Sequence, residues 1–332
     1  MTEKQHIQKF LRRLAQFLVL LVIFDLGLGY GFKLLFENQK AGRYYKTTYA
    51  LEKSEDEVVI FGNSRAERQY IPEIIEEKTG LSCYNTGQGG QDIMYSKAVQ
   101  NAMFARHVPK VVVLEMHGHE LLTPIKYDRL SFLHPYYKDH KEIRPLLEKR
   151  GSLEGLKFVS RMYAYNSVVW GMLRAYTAPE ESYDGYRPLK GKLKTKTLTA
   201  EEQKVDEAKR KQGEKEIDTE KVEMIEQFLA DAKSAGSKVV VVSSPIFVPA
   251  GEEAGMALEK TALESMVKNH GVELWDYSDD PDLAGRPEMY KDVRHLNHAG
   301  ATIFTQKVAE RLKAYPEHDP VLRAEVSPQR MR

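Results

Sequence analysis

The stretch EVVIFGNSRAE, residues 57–67, runs an apolar segment into Gly62-Asn63-Ser64 and turns charged at once. Val58, Val59, Ile60 and Phe61 form the short continuous apolar run of a strand covered on both faces. Such a strand ends in one of two ways. Either Ser64 caps an ordinary strand-to-helix turn, or the turn holds Ser64 out as a nucleophile. The rest of the chain decides between them.

From Glu57 onward strands and helices alternate. VVIF is followed by a helical stretch around Pro72–Lys78, and LSCYN (residues 81–85) by a helix from about Asp92 to His107. KVVVLEM (110–116) is the third strand. In KVEMIEQFLADAKSAG, Val222, Ile225, Leu229 and Ala232 recur at helical spacing and Gly236 suits the exit. KVVVVSSP, a helix over LEKTALESMVKNHG, the strand VELWDYS and a last helix after Asn297 complete the series. This order predicts an α/β fold whose parallel five-stranded sheet carries helices on both sides. Function in such sheets gathers at the carboxyl ends of the strands, and Ser64 lies at one of them.

Between the third and fourth strands lie about a hundred residues, too many for a plain loop. Residues 122–216 are read as a helical insertion, rich in aromatics between Tyr127 and Tyr176, with LEGLKFVSRMYAYNSVVWGMLRAY helical throughout. The aromatics are expected to form the insertion's own core, stacking on sugar rings being the alternative. Lys190–Glu216, mixed in lysine and glutamate, reads as an exposed loop or solvated helix.

The chain has 332 residues with 49 Lys and Arg against 48 Asp and Glu, so no global field favours a nucleic-acid partner. Its single cysteine, Cys83, reads as a small core residue. The segment Phe17–Phe36 is about as long as a helix needs to cross a bilayer. Lys4, Lys9, Arg12 and Arg13 precede it, and neither a cleavage site nor a lipidation cysteine accompanies it. It therefore reads as a retained single-pass anchor with the following domain outside the cytoplasm, in periplasm or at the cell surface. Asp25 near mid-span calls for a partner or local water, and Gly27 and Gly31 form a small-xxx-small face, so these three are candidate contacts with a membrane partner. The expected organisation is a cytoplasmic tail (1–13), anchor (14–36), linker (37–56), α/β domain (57–315) and C-terminal tail (316–332).

Three segments bear on the opening choice. The second strand ends in YNTGQGGQD, where Gly87, Gly89 and Gly90 precede a helix that Asp92 caps, so backbone N–H groups can turn toward an anion. DVRHLNHAG places Asp292 and His295 three apart before the final helix, and a carboxylate there holds a histidine base in one tautomer. His117 and His119 alternate at a strand end as two metal ligands would. Spacing supplies no third, and no metal or cofactor is expected. His298 reads as structural, and His134 and His140 fall in the insertion without a specific role.

As an ordered set, the Gly-x-Ser turn, Asn85-x-Gly-x-x-Gly90 and Asp292-x-x-His-Leu-Asn297 resemble the SGNH (GDSL-like) hydrolase superfamily, from about Val58 to Leu312. The resemblance implies a flavodoxin-like three-layer sandwich with Ser64 as nucleophile, His295 as general base and Asp292 as its orienting carboxylate. It makes the N–H groups of Ser64 and Gly90 oxyanion donors. In the third block, LEMHGHELL places His119 where the family's oxyanion asparagine falls and Glu120 where its aspartate falls. A histidine N–H can also donate, although losing one such donor lowers turnover by about a hundredfold or more.

The implied chemistry is acyl transfer through a serine ester. An anchor joined to such a domain is similar to the SGNH-like proteins of alginate O-acetylation and teichoic-acid D-alanylation, which work beside a membrane-bound O-acyltransferase. The expected activity is O-acyl transfer to a cell-surface or exported glycan. The alternatives are an esterase of the same topology that removes acyl groups from a glycan, peptidoglycan or lipid, and a catalytically silent glycan-binding or scaffold protein; an acylated small molecule is also an expected substrate class.

Overall fold

A computed structural model describes residues 2–178, 180–194, 217–247 and 257–314. The chain opens with α1 (Glu3–Glu37) and α2 (Gly42–Glu52), then β1 (Val58–Phe61), α3 (Ser64–Gln69), α4 (Pro72–Thr79), β2 (Cys83–Asn85), α5 (Ile93–Phe104) and β3 (Val111–Glu115). Short helices follow, α6 (Arg144–Glu148), α7 (Glu154–Lys157) and α8 (Val169–Thr177). The series resumes with α9 (Thr219–Ser234), β4 (Lys238–Ser243), α10 (Ala257–Asn269) and β5 (Glu273–Asp276). A two-stranded ribbon, β6 (Tyr290–Asp292) and β7 (His295–Leu296), leads into α11 (His298–Ala314). These elements divide into two compact units, one from residues up to Thr48 with Tyr127–Glu180, the other from Tyr49–Lys126 and residues from Glu181 on.

The second unit contains the predicted sheet. Its five strands are all parallel in the order β2-β1-β3-β4-β5, with Val58 opposite both Cys83 and Val111. That order reverses direction at β1, the switch point where doubly wound sheets bind ligands. Alternate residues of β1 go to opposite layers. Val58 and Ile60 share a core with Ile75 of α4 and with Phe304 and Val308 of α11. Phe61 meets Phe228 of α9 edge-on at 5.2 Å, and Gln100 of α5 donates to the Phe228 carbonyl at 2.8 Å. All four residues of β1 and all five of β3 are buried, which is why both read as unbroken apolar runs.

The first unit departs from the sequence reading in two places. Residues 37–56, expected as a linker, contain α2. Its tyrosines and threonines are weak helix formers, and Tyr44 and Thr48 are held by tertiary contact, Tyr44 stacking on Phe132 at 4.9 Å and Thr48 bonding the Tyr136 hydroxyl at 2.7 Å. The helix expected from Leu153 to Tyr176 is broken instead into α7, one tight turn at Tyr163–Tyr165 and α8. The aromatics do form a core, with Phe36 of α1 against Tyr136 at 5.3 Å and Tyr165 at 5.9 Å. Trp170 and Tyr176 stand outside it, exposed. Most of Lys190–Glu216 lies outside the described residues.

His134 of this unit is buried beside Glu154, whose carboxylate also takes Arg150 at 2.6 Å and the Tyr163 hydroxyl at 2.8 Å. Burial, seconded by the Arg150 charge, pushes the His134 pKa down from 6.5 to about 4. The unfolded chain takes up that proton first. Stability is therefore complete above the unfolded value and falls as pH drops from 6.5 toward about 4. The loss reaches on the order of 3 kcal/mol. Thermal unfolding across this range is expected to show it, and His134→Phe should flatten the slope. A wild-type transition that stays level from neutral pH to below 5 would show that His134 is not held neutral.

Candidate active site

β1 delivers its carboxyl end through a turn that only glycine fits. Gly62 has φ +146°, and a Cβ there would lie 2.9 Å from both Ala66 Cβ and Glu115 Cβ. Asn63 then caps α3, its Oδ1 accepting from the Arg65 N–H at 2.9 Å. The cap is thus Asn63, which leaves the Ser64 hydroxyl free for another partner. That partner is His295, whose Nε2 lies 2.8 Å from Ser64 Oγ.

His295 is held from behind. Its Nδ1 lies 2.9 Å from Asp292 Oδ1 and 3.0 Å from Oδ2, so the Nδ1–H donates to the carboxylate and Nε2 accepts from the serine. The Asp292 carboxylate also accepts the Arg294 N–H at 2.9 Å and the His295 N–H at 3.1 Å. Burial pushes the Asp292 carboxyl up, but the hydrogen bonds from His295 and from the Arg294 N–H outweigh it and hold it below its ordinary value. Asn297 fixes the loop, donating to the Gly191 and Glu288 carbonyls at 3.0 and 2.7 Å while accepting the Gly300 N–H at 3.0 Å. Serine, base and orienting carboxylate, read separately from sequence, therefore stand in one relay.

Asp292→Asn removes the acceptor and leaves an amide that favours the wrong imidazole tautomer. Turnover is expected to fall roughly a thousandfold or more. Because the Asp292 side chain is half-exposed, the melting temperature should hold. Equal activity in this variant would remove Asp292 from the relay.

The glycine turn after β2 lies beside Ser64. A methyl added at Gly89 would sit 3.8 Å from Ser64 Cβ, and the Gln88 N–H is fixed to the Gly62 carbonyl at 3.1 Å. Gly90 has φ +80°, and among the described residues no acceptor is present for its N–H or for that of Ser64. Two donors are thus available for a developing oxyanion. His119 stands on the tight turn Gly118–Leu122 after β3, its ring 5.6 Å from that of His117. His117 is itself buried, and its Nε2–H donates to the Ser244 carbonyl at 2.6 Å. Burial and the Arg65 charge push its pKa well down, so it stays neutral. His298 bonds the Tyr186 hydroxyl at 2.8 Å, as expected of a structural residue.

Sequence reading missed what supports the turn. Arg65, one residue past Ser64, is buried between Glu115, at 3.0 Å, and Glu120. Glu115 also accepts from the Tyr70 hydroxyl and, at 2.7 Å, from Ser244. Burial and Glu115 push the Tyr70 pKa well up, which keeps that hydroxyl a donor. Glu120 accepts from the Asn63 amide at 3.0 Å and from the His117 N–H at 3.1 Å. The ends of β1 and β3 are thereby tied together directly beneath Ser64. The available signal was Glu115 itself, a carboxylate closing a run of valines in a strand covered on both faces.

Asp25, Gly27 and Gly31 belong to the other unit. Asp25 accepts from the Ser160 hydroxyl and from the N–H groups of Arg161 and Met162 at 2.8 and 3.2 Å, so it has partners within its own chain. Gly27 and Gly31 face open space. The helix that carries them is long and apolar enough to cross a membrane.

No protein-family model matches the sequence, and a search of curated proteins returns no match. Solved structures do resemble the fold. One is a lipolytic protein of the G-D-S-L family from Desulfitobacterium hafniense DCB-2, at 7% identity and TM-score 0.38, covering 76% of this chain and 98% of that one. Another is the acetyl xylan esterase AlAXEase, at 12% identity and TM-score 0.38, covering 78% and 98%. A third is a family two carbohydrate esterase from Clostridium thermocellum, at 8% identity and TM-score 0.40, covering 79% and 65%. These are remote likenesses of fold, and the chemistry is read from Ser64, His295 and Asp292 themselves.

Proposed function

We propose that the chain is a serine-dependent acyl-transfer enzyme of SGNH type, held at a membrane by α1 with its α/β unit outside the cytoplasm. The observation that carries this reading is the relay from Ser64 Oγ to His295 Nε2 at 2.8 Å and from His295 Nδ1 to Asp292 at 2.9 Å. His295 takes the serine proton as Oγ attacks the acyl carbonyl. The N–H groups of Ser64 and Gly90 receive the oxyanion, with the His119 ring as a third candidate donor. Collapse of the tetrahedral intermediate breaks the bond to the donor alcohol, which leaves with the proton from His295. An acceptor hydroxyl then gives its proton to His295 and takes the acyl group from Ser64, and His295 returns that proton to Ser64 Oγ as the ester bond breaks.

The acceptor in this proposal is a hydroxyl of a cell-surface or exported glycan. The support is the resemblance in motif order and anchoring to SGNH-like proteins of glycan acylation, in which a membrane-bound O-acyltransferase supplies the acyl group. The open face at Gly27 and Gly31 is where such a partner would meet α1. A silent scaffold is the second reading, favoured by His119 standing in the third block.

The test is fluorophosphonate labelling of the full chain, followed by turnover of an activated acetyl ester with and without oligosaccharide. An adduct on Ser64 and acetylated sugar formed at the expense of free acetate support transfer. An adduct with acetate alone leaves an esterase. A folded chain without an adduct, both alone and in native membranes, leaves the scaffold.

A further inference from the structure

We propose that the exposed apolar side chains around α7 and α8 enter the lipid of the leaflet nearer Lys33, with Asp25 fixing their depth. The proposal rests on the reading of α1 as a membrane span. Leu153, Leu156 and Val159 are 63%, 66% and 76% exposed, and Trp170 is 83% exposed, within the same unit as α1. That is an unusual set of large apolar groups to leave in water.

Length along α1 decides where they sit. The apolar run starts after Arg13. At 1.5 Å per residue, the roughly 20 residues needed for a 30 Å hydrocarbon core end near Lys33, so Asp25 lies about 12 Å inside that boundary. Ser160, Arg161 and Met162 are bonded to Asp25, so this part of the insertion lies alongside α1 at the same depth. If that segment stayed in water, only Leu14–Phe24 would be left to cross, and about 16 Å of helix does not span the core.

The contact is built to be close. A Cβ at Gly29, one turn beyond Asp25, would lie 2.4 Å from Arg161 Cβ, so only glycine admits the segment there. Asp25 takes up the N–H groups of Arg161 and Met162, and the carboxylate in turn is met by three donors, which is the condition for irregular backbone at membrane depth. The Lys157 ammonium is paired with the buried Glu154 carboxylate at 2.7 Å, so its charge is met within the unit.

The test is nitroxide labelling of the full-length chain in phosphatidylcholine–phosphatidylglycerol vesicles, at Leu20→Cys, Val159→Cys and Trp170→Cys. Cys83 is buried and stays unlabelled. Accessibility to oxygen, which concentrates in lipid, is compared with accessibility to a water-soluble nickel chelate. Labels at 159 and 170 are expected to meet oxygen severalfold more than nickel, as the label at 20 does, and Asp25→Ala should reverse that ratio at 159. A lipid-like label at 20 with water-like labels at 159 and 170 overturns the proposal and leaves the anchor standing. Water-like labels at all three positions overturn the anchor and the proposal together.

Discussion

Ser64→Ala is expected to lower turnover of an ester substrate roughly a millionfold, and His295→Ala by a similar factor, with the double variant no worse than either alone. The non-additivity is the diagnostic part. Oγ and Nε2 are 2.8 Å apart, and on the proposed mechanism they act as one proton-transferring pair, so removing either leaves the other with no task. What survives is the stabilisation supplied by the Ser64 and Gly90 N–H groups, which neither substitution removes. Fluorophosphonate labelling is the direct measurement, since it reads the nucleophile without a known substrate. Retained labelling in Ser64→Ala would move the chemistry to another residue. Losses in the two single variants that multiply in the double would mean the two residues act independently.

The second large effect concerns stability. Arg65→Ala leaves Glu115 and Glu120 without their cation inside a buried network, and Glu115→Ala strands the guanidinium and the Tyr70 hydroxyl. Breaking a buried pair from one side costs about 3–5 kcal/mol. For a unit of this size that corresponds to a melting temperature lower by roughly 10 °C. Replacing the charged groups together, as Arg65→Met with Glu115→Leu, is expected to recover part of the loss, because no uncompensated charge then remains within that pair. Calorimetry of the singles and the double decides it. Single variants that melt with the wild type would show that water reaches the network. If the double variant melts near the wild type yet labels poorly at Ser64, the network positions Asn63 and the nucleophile.

The sheet was legible because its strands are buried on both faces, so VVIF and KVVVLEM stand out from any amphipathic background. The juxtaposition of Ser64, His295 and Asp292 in the candidate site was legible in the same way. Ser64, Gly90, Asp292 and His295 sit in short blocks whose local chemistry does not depend on the intervening hundred residues. The Arg65 network was not legible, since its partners are 50 and 55 residues away and charge in a sequence does not announce burial. The break in the predicted helix from Leu153 to Tyr176 was hidden for a related reason. The N–H groups of Arg161 and Met162 go to Asp25, over 130 residues earlier, and intrinsic propensity contains nothing of that competition. Asp25 itself was read as needing a partner or local water, and its bonds to Ser160, Arg161 and Met162 of the insertion were not foreseen.

The bond from Asp25 to Ser160 also sets a clock on synthesis. The two residues are 135 apart, and at about 5–20 residues per second the second emerges roughly 7–27 s after the first. For that interval α1 holds a carboxylate whose donors do not yet exist. On the proposed reading of α1 as a membrane span, the helix either waits in the insertion machinery, where water still reaches it, or enters lipid with Asp25 protonated and gives up the proton later. On either route the seating of Asp25 against Ser160 is a late event, timed by translation of a segment 135 residues further along the chain.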